Sequence, residues 1–154
     1  MTENARVLIV EARFYDDIAD ELVRGAIVEL EKAGVPYERI NVPGAFEIPA
    51  AIRFAIRSME VHASGRGYSG FVALGCVIRG ETSHYDYVCG ESARALMDLS
   101  TNYSVALGYG ILTVENREQA WARASLDQKN KGADAANACL RMMELKKEFR
   151  LLLR

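Results

Sequence analysis

The sequence predicts a three-layer α/β sandwich, with a central four-stranded parallel sheet and helices on both faces. Three observations carry this. Short β-branched apolar runs alternate with amphipathic stretches of helical period, the pattern of βα units wound into a parallel sheet. The runs Val7–Val10 and Phe71–Leu74 are apolar at every position, as strands covered on both faces must be. Breaks rich in Gly and Pro, at Gly34, Pro43-Gly44 and Gly80, fall between the periodic segments.

Val7-Leu8-Ile9-Val10 reads as the first strand. Asp16 to Ala33 follows as a helix, because Ile18, Leu22, Ala26 and Leu30 recur every four residues. Asp16 and Asp17 suit its positive N-terminal end, and Gly34 suits the position beyond its C-terminus. Tyr37 to Val42 is the second strand, ended by Pro43-Gly44. Ile48 to Met59 is helical, with Pro49 tolerated in the first turn. Val61 to Ser69 is a polar surface loop. Phe71 to Ile78, the most apolar run, is a central strand stopped by Gly80. Tyr85 to Leu99 is the next helix. Val105 to Val114 is a strand whose Gly108 and Gly110 mark a close backbone approach or a bulge. Asn116 caps a helix from Arg117 to Ala124. A polar stretch, Ser125 to Lys131, precedes a last helix from Ala133 to about Leu153. No linker, internal repeat or low-complexity segment interrupts this order, so residues 1–154 are expected to form one flavodoxin-like domain.

The net charge of −2 leaves no basic footprint for nucleic acid. No apolar stretch reaches the ~18 residues that a membrane span needs, and Met1 to Arg6 carries no leader pattern. The three cysteines, Cys76, Cys89 and Cys139, are odd in number and form no C-x-x-C, which points to a reduced, cytoplasmic setting. The two histidines, His62 and His84, lie far apart, so no metal site is expected. Neither G-x-x-x-x-G-K-[ST] nor G-x-G-x-x-G after the first strand is present, and G-x-S-x-G is absent.

Open parallel sheets bind ligands beyond the carboxyl ends of their strands. That directs attention to Glu11–Tyr15, Pro43–Glu47, Val77–His84 and Gly108–Asn116. In the third, Gly80-Glu81-Thr82-Ser83-His84 offers backbone N–H groups and hydroxyls at a helix start, a natural anion site. His84 there could move protons near neutral pH. The pattern is common, however, and taken alone favours an ordinary capped helix with a surface histidine. Glu47 could accept hydrogen bonds from substrate hydroxyls, although a lone helix-start carboxylate more often serves the helix dipole. Phe14, after the first strand, and Tyr109, after the fourth, are either core aromatics or stacking platforms for a planar ligand. Arg123 and Lys131 are basic candidates downstream.

Four segments then stand together: Val42-Pro43-Gly44-Ala45-Phe46-Glu47-Ile48-Pro49, Gly75 to Asp86, Gly110-Ile111-Leu112-Thr113-Val114-Glu115-Asn116, and Gln119-Ala120. Their order and spacing closely resemble the 6,7-dimethyl-8-ribityllumazine synthase family, from about Arg6 to beyond Gly132. The resemblance implies a riboflavin-pathway transferase. It would condense 5-amino-6-(D-ribitylamino)uracil with 3,4-dihydroxy-2-butanone 4-phosphate, giving the lumazine, phosphate and water. No metal or organic cofactor is implied.

By position, Phe14 resembles the aromatic that stacks on the pyrimidinedione. Ala45, Phe46 and Glu47 resemble the turn that holds it, and Cys76, Val77 and Ile78 the strand end that reads its ring edge. Gly80, Glu81 and Thr82 resemble the phosphate loop, and His84 the proton-transfer residue. Tyr109 resembles a position contributed by the adjacent subunit, Arg123 the phosphate-pairing arginine, and Lys131 a nearby cation. Tyr15 stands where many relatives have Asn, and Glu81 where a small residue is common.

The resemblance also implies a homopentamer with sites between subunits. Twelve pentamers form capsids in some members. The short segment before the first strand, and a Ser125–Gly132 turn without Gly-Lys-x-Gly-Asn character, make a free pentamer the expectation. The competing readings are a non-catalytic flavin- or lumazine-binding protein and a phosphate-binding module of another pathway on the same fold.

Overall fold

The computed structural model describes residues 5–62 and 67–151. Four strands form one parallel sheet in the order β2-β1-β3-β4: β1 (Val7–Ala12), β2 (Tyr37–Val42), β3 (Gly70–Ile78) and β4 (Leu107–Val114). The helices are α1 (Asp16–Lys32), α2 (Ile48–Val61), α3 (His84–Tyr103), α4 (Arg117–Ala124) and α5 (Lys131–Glu148). A short 3-10 turn, Ala45–Glu47, leads into α2. The expected sandwich, strand count and parallel sheet are all present.

Strand alternation sorts the core into two halves. Val7, Ile9, Val72, Leu74, Leu112 and Val114 point to the face covered by α1, α4 and α5. Leu8, Val10, Phe71, Ala73 and Ile111 point to the face covered by α2 and α3. On α1 the predicted stripe Ile18, Leu22, Ala26 and Leu30 is fully buried. Each large side chain among these contributes about 1.5–3 kcal/mol relative to exposure.

Several boundaries differ from the sequence reading, for physical reasons. β1 runs two residues further than Val10, through the charged Glu11. The Glu11 carboxylate is buried but receives Arg39 at 2.8 and 2.9 Å and Arg13 at 2.7 Å. A buried charge is tolerated when it is paired and hydrogen-bonded. α3 starts one residue earlier than expected and continues to Tyr103, where Ser104 turns left-handed at φ 53°. β4 begins at Leu107 instead of Val105. α5 starts at Lys131 and stops at Glu148, short of the predicted Leu153. The Phe149 N–H donates to Leu145 O, and Arg150 adopts φ 61°, which breaks the helix although apolar residues follow. Leu152 and Leu153 lie outside the described residues, as do residues 63–66 of the predicted surface loop and the first four residues.

The glycines of β4 mark a close approach, one of the two readings their positions allowed. A Cβ on Gly108 would fall on the carbonyl of Ala135, so α5 crosses this strand almost in backbone contact. Gly132 is equally constrained, because its added Cβ would meet the carbonyl of Leu22 in α1. Among the described residues, no helix is long and apolar enough to cross a membrane.

Candidate active site

The carboxyl ends of β1 and β3 carry most of the predicted residues. β1 stops at Ala12, whereas β3 runs on to Ile78 beside Val114. The step between them is filled by the turn after β2. Gly75 is open toward Ala12, Ile48 and Ala45, with an added Cβ 3.2 Å from the Ala12 methyl. Ala45 is therefore buried against the sheet, while its neighbours Phe46 and Glu47 are lifted into solvent.

Phe14 is 73% exposed and Phe46 57% exposed. Exposed phenyl rings at strand ends are what a ligand or partner would cover; the alternative of Phe14 as a core residue is excluded. Phe14 keeps an edge-to-face contact with Tyr15 at 4.9 Å. The Glu47 side chain is exposed, and no carboxylate hydrogen bond engages it among the described residues. Cys76 is buried, and Val77 and Ile78 are half-buried at the strand end. Burial pushes the Cys76 thiol up to about 12, so it stays protonated and is no nucleophile at neutral pH.

Past β3, Gly80, Glu81, Thr82 and His84 are all exposed. Ser83 caps α3 without a side-chain bond. The Thr82 hydroxyl accepts the His84 N–H at 3.3 Å. The opening turn of this twenty-residue helix therefore faces solvent with its dipole-positive end beside a hydroxyl and an imidazole.

The remaining three predicted residues lie elsewhere. Tyr109, Arg123 and Lys131 line a separate cleft of about 430 Å³ along the open edge of β4, with Gly110–Thr113, Asp134 and Ala138. None of Gly80, Glu81, Thr82 or His84 lines it. α4, which carries Arg123, packs on one face of the sheet, and α3, which starts at His84, packs on the other. Tyr109 does not follow the fourth strand as expected. It is the third residue of β4, paired with Ala73, and the glycines on either side of it, Gly108 and Gly110, lie close against Ala135 of α5. Its ring is 44% exposed.

α4 is fixed by a reciprocal cap. Asn116 Oδ1 accepts the Gln119 N–H at 2.9 Å, and Gln119 Oε1 accepts the Glu115 N–H at 2.8 Å. Arg123 Nη1 then donates back to Gln119 O at 3.2 Å. Among the described arginines, only Arg123 and Arg150 form no ion pair with a carboxylate. Lys131 is paired with Asp134 at 3.2 Å.

Sequence reasoning missed two clusters. One is the Glu11–Arg13–Arg39 cluster just before Phe14. The other is Arg79, bound to Glu115 at 2.8 Å and close to Asp86. The pairs that close them, Arg39–Glu11 and Arg79–Glu115, lie 28 and 36 residues apart, beyond the reach of any local pattern. Among the described residues, no group of three or more His, Cys, Asp or Glu side chains could hold a metal ion.

A sequence model of the 6,7-dimethyl-8-ribityllumazine synthase family matches residues 4–147. The chain belongs to this family. Curated relatives bearing the name 6,7-dimethyl-8-ribityllumazine synthase cover nearly all of it. The protein of Afipia carboxidovorans is 58% identical over 94% of this chain and 88% of its own length. That of Agrobacterium fabrum is 59% identical over 93% of this chain and 95% of its own. The one from Bartonella bacilliformis is 58% identical, over 95% and 93% respectively. The chain is accordingly an enzyme of the riboflavin-pathway transferase class, as its motifs led us to expect.

Proposed function

We propose that the chain condenses 5-amino-6-(D-ribitylamino)uracil with 3,4-dihydroxy-2-butanone 4-phosphate at a site built from two neighbouring copies. The observation that carries this reading is the unpaired guanidinium of Arg123. It stands in a cleft away from the Thr82–His84 loop of its own chain, available to an anion held by another. In this reading one protomer supplies Phe14, Ala45, Phe46, Glu47, Cys76, Val77, Ile78, Gly80, Glu81, Thr82 and His84. Its neighbour supplies Tyr109, Arg123 and Lys131. The assembly is a cytoplasmic homopentamer in which residues 1–154 act as one domain; three free thiols agree with a reducing compartment.

Each role follows from residue chemistry. Phe14 stacks on the flat pyrimidinedione. Glu47 accepts hydrogen bonds from ribityl hydroxyls, and the backbone of Cys76–Ile78 pairs with the ring edge. The open first turn of α3, the Thr82 hydroxyl and the neighbour's Arg123 hold the phosphate, the guanidinium in bidentate fashion. Glu81 takes part through its backbone N–H, with its carboxylate turned to solvent. Lys131 adds positive charge beside Arg123.

The substrate amine is the nucleophile, so no activated side chain is required. It attacks the ketone carbon, and one water leaves as the imine forms. His84 moves the proton whose loss lets the carbon–oxygen bond to phosphate break, and the anion departs toward Arg123. Loss of phosphate leaves an enol, which tautomerises to a ketone at the carbon that bore the substrate hydroxyl. The ribitylamino nitrogen closes the ring on that carbon, and a second water leaves. Holding two substrates side by side supplies the larger share of the acceleration, through effective concentration.

The test is direct: mix the protein with both substrates and follow the absorbance of the lumazine. Product formation above the uncatalysed background is expected. A protein that binds the lumazine tightly yet leaves the background rate unchanged would instead be a carrier on the same fold.

A further inference from the structure

Arg79 sits between the end of β3 and Gly80. Its N–H donates to Val114 O at 2.9 Å, which extends the β3–β4 ladder by one step. Its guanidinium is held on three sides. Nε donates to the Glu115 carboxylate at 2.8 Å, Nη1 lies 3.5 Å from Asp86 Oδ1, and the central carbon stands 4.2 Å from the centre of the Tyr85 ring. These partners come from two other elements. Tyr85 and Asp86 belong to the first turn of α3, and Glu115 to the turn that enters α4. One of these anchors is itself fixed: the Glu115 N–H donates to the Gln119 side-chain carbonyl at 2.8 Å.

With two carboxylates on it, this guanidinium is not a free cation for a phosphate. Nor do exposed ion pairs of this kind add much to global stability. What the arrangement does is geometric. A planar, forked head group meets an edge partner on either side and a ring on its face at once, which an ammonium cannot do. The short loop Gly80–Ser83 is thereby clamped at its first residue and again at the helix it leads into.

Resting on the reading of Gly80–His84 as the keto-phosphate part of the site, we propose that Arg79 is a positioning residue: its clamp on Glu115, Asp86 and Tyr85 holds this loop in the geometry that receives the phosphate. The same clamp ties the loop to the turn that leads into α4, the helix carrying Arg123.

Three single variants, Arg79→Gln, Arg79→Lys and Glu115→Gln, and the double variant Arg79→Gln/Glu115→Gln test this on the full-length assembly. Two readouts are used: steady-state kinetics with each substrate varied, and amide exchange of peptides spanning 79–87. Arg79→Gln is expected to raise KM for the keto-phosphate about tenfold, since small misplacements are costly, and to leave KM for the pyrimidinedione within about twofold. Exchange over 79–87 should quicken while β1 peptides stay unchanged. Lysine should fail to restore the parent values, and the double variant should be no worse than Arg79→Gln, because the pair acts as one unit. Unchanged exchange over 79–87, equal loss for both substrates, or full rescue by lysine would overturn the proposal. If the parent protein itself makes no lumazine, the reading of the site fails, and the exchange comparison still decides whether Arg79 holds the loop.

Discussion

Replacing Arg123 with alanine removes a cation that no carboxylate among the described residues pairs with. Among the described residues its side chain hydrogen-bonds only the Gln119 carbonyl, within its own helix. The helix cap at Asn116 does not involve it, so the scaffold should stay in place. Half-buried, open to the cleft and free of a competing anion, the guanidinium can place two parallel donors on a phosphate. Hydrogen bonds to charged groups are worth about 1.5–3 kcal/mol, which corresponds to roughly a ten- to 150-fold loss in kcat/KM for the keto-phosphate. The assay is steady-state kinetics with one substrate saturating and the other varied. KM for the pyrimidinedione should stay within about twofold, and thermal unfolding should shift little, as for most surface changes. Arg123→Lys should recover part of the loss, because charge returns without the fork. If only the pyrimidinedione were affected, or the keto-phosphate used as well as before, the phosphate assignment would be refuted.

His84→Ala should slow turnover by about 10²–10⁴-fold without abolishing it; a rate equal to the uncatalysed background would mean that holding the two substrates side by side does not supply the larger share of the acceleration. Gly132→Ala sets a methyl against the Leu22 carbonyl and must push α1 from α5. A loss of about 1–3 kcal/mol is expected for such overpacking, read as a lower urea midpoint, and an unchanged midpoint would contradict the close approach. For Glu11, burial alone would raise the carboxyl, but the hydrogen bonds from Arg39 and Arg13 outweigh it and hold the group below its ordinary value. That stabilisation is present above the unfolded value of about 4.3 and is lost as pH falls through the folded value. Glu11→Gln should therefore flatten the acid limb of unfolding free energy against pH, while a limb as steep as the parent's would show that Glu11 does not contribute to it.

What the sequence made legible was what depends on neighbours along the chain. The stripe of Ile18, Leu22, Ala26 and Leu30 announced α1, and Asn116 announced α4 through a cap that the structure contains. The alternation of strands and helices sufficed for a parallel sheet. Features that depend on distant residues were not legible. Glu11 looked like the end of a strand because Arg39, which makes its burial tolerable, arrives from β2. Gly108 and Gly110, on either side of Tyr109, read equally well as a bulge or as a close approach. Only α5, crossing above Gly108, shows that they mark the close approach. The candidate site was readable as residue types, and the exposure of Phe14 and Phe46 separates a stacking surface from a core cluster. That Arg123 shares no cleft with Thr82 of its own chain could not have come from spacing, since it follows from helices on opposite faces of the sheet.

The division of the site between two copies is tested most directly by mixing defective protomers. One variant, Thr82→Ala/His84→Ala, lacks the loop half; the other, Arg123→Ala/Lys131→Ala, lacks the edge half. Co-assembled in equal amounts, they bring two intact halves together at about a quarter of the interfaces if neighbours combine at random. The mixture should then recover roughly a quarter of parental lumazine formation per site, well above either variant alone. Activity no higher than the average of the two separate variants would contradict a shared site.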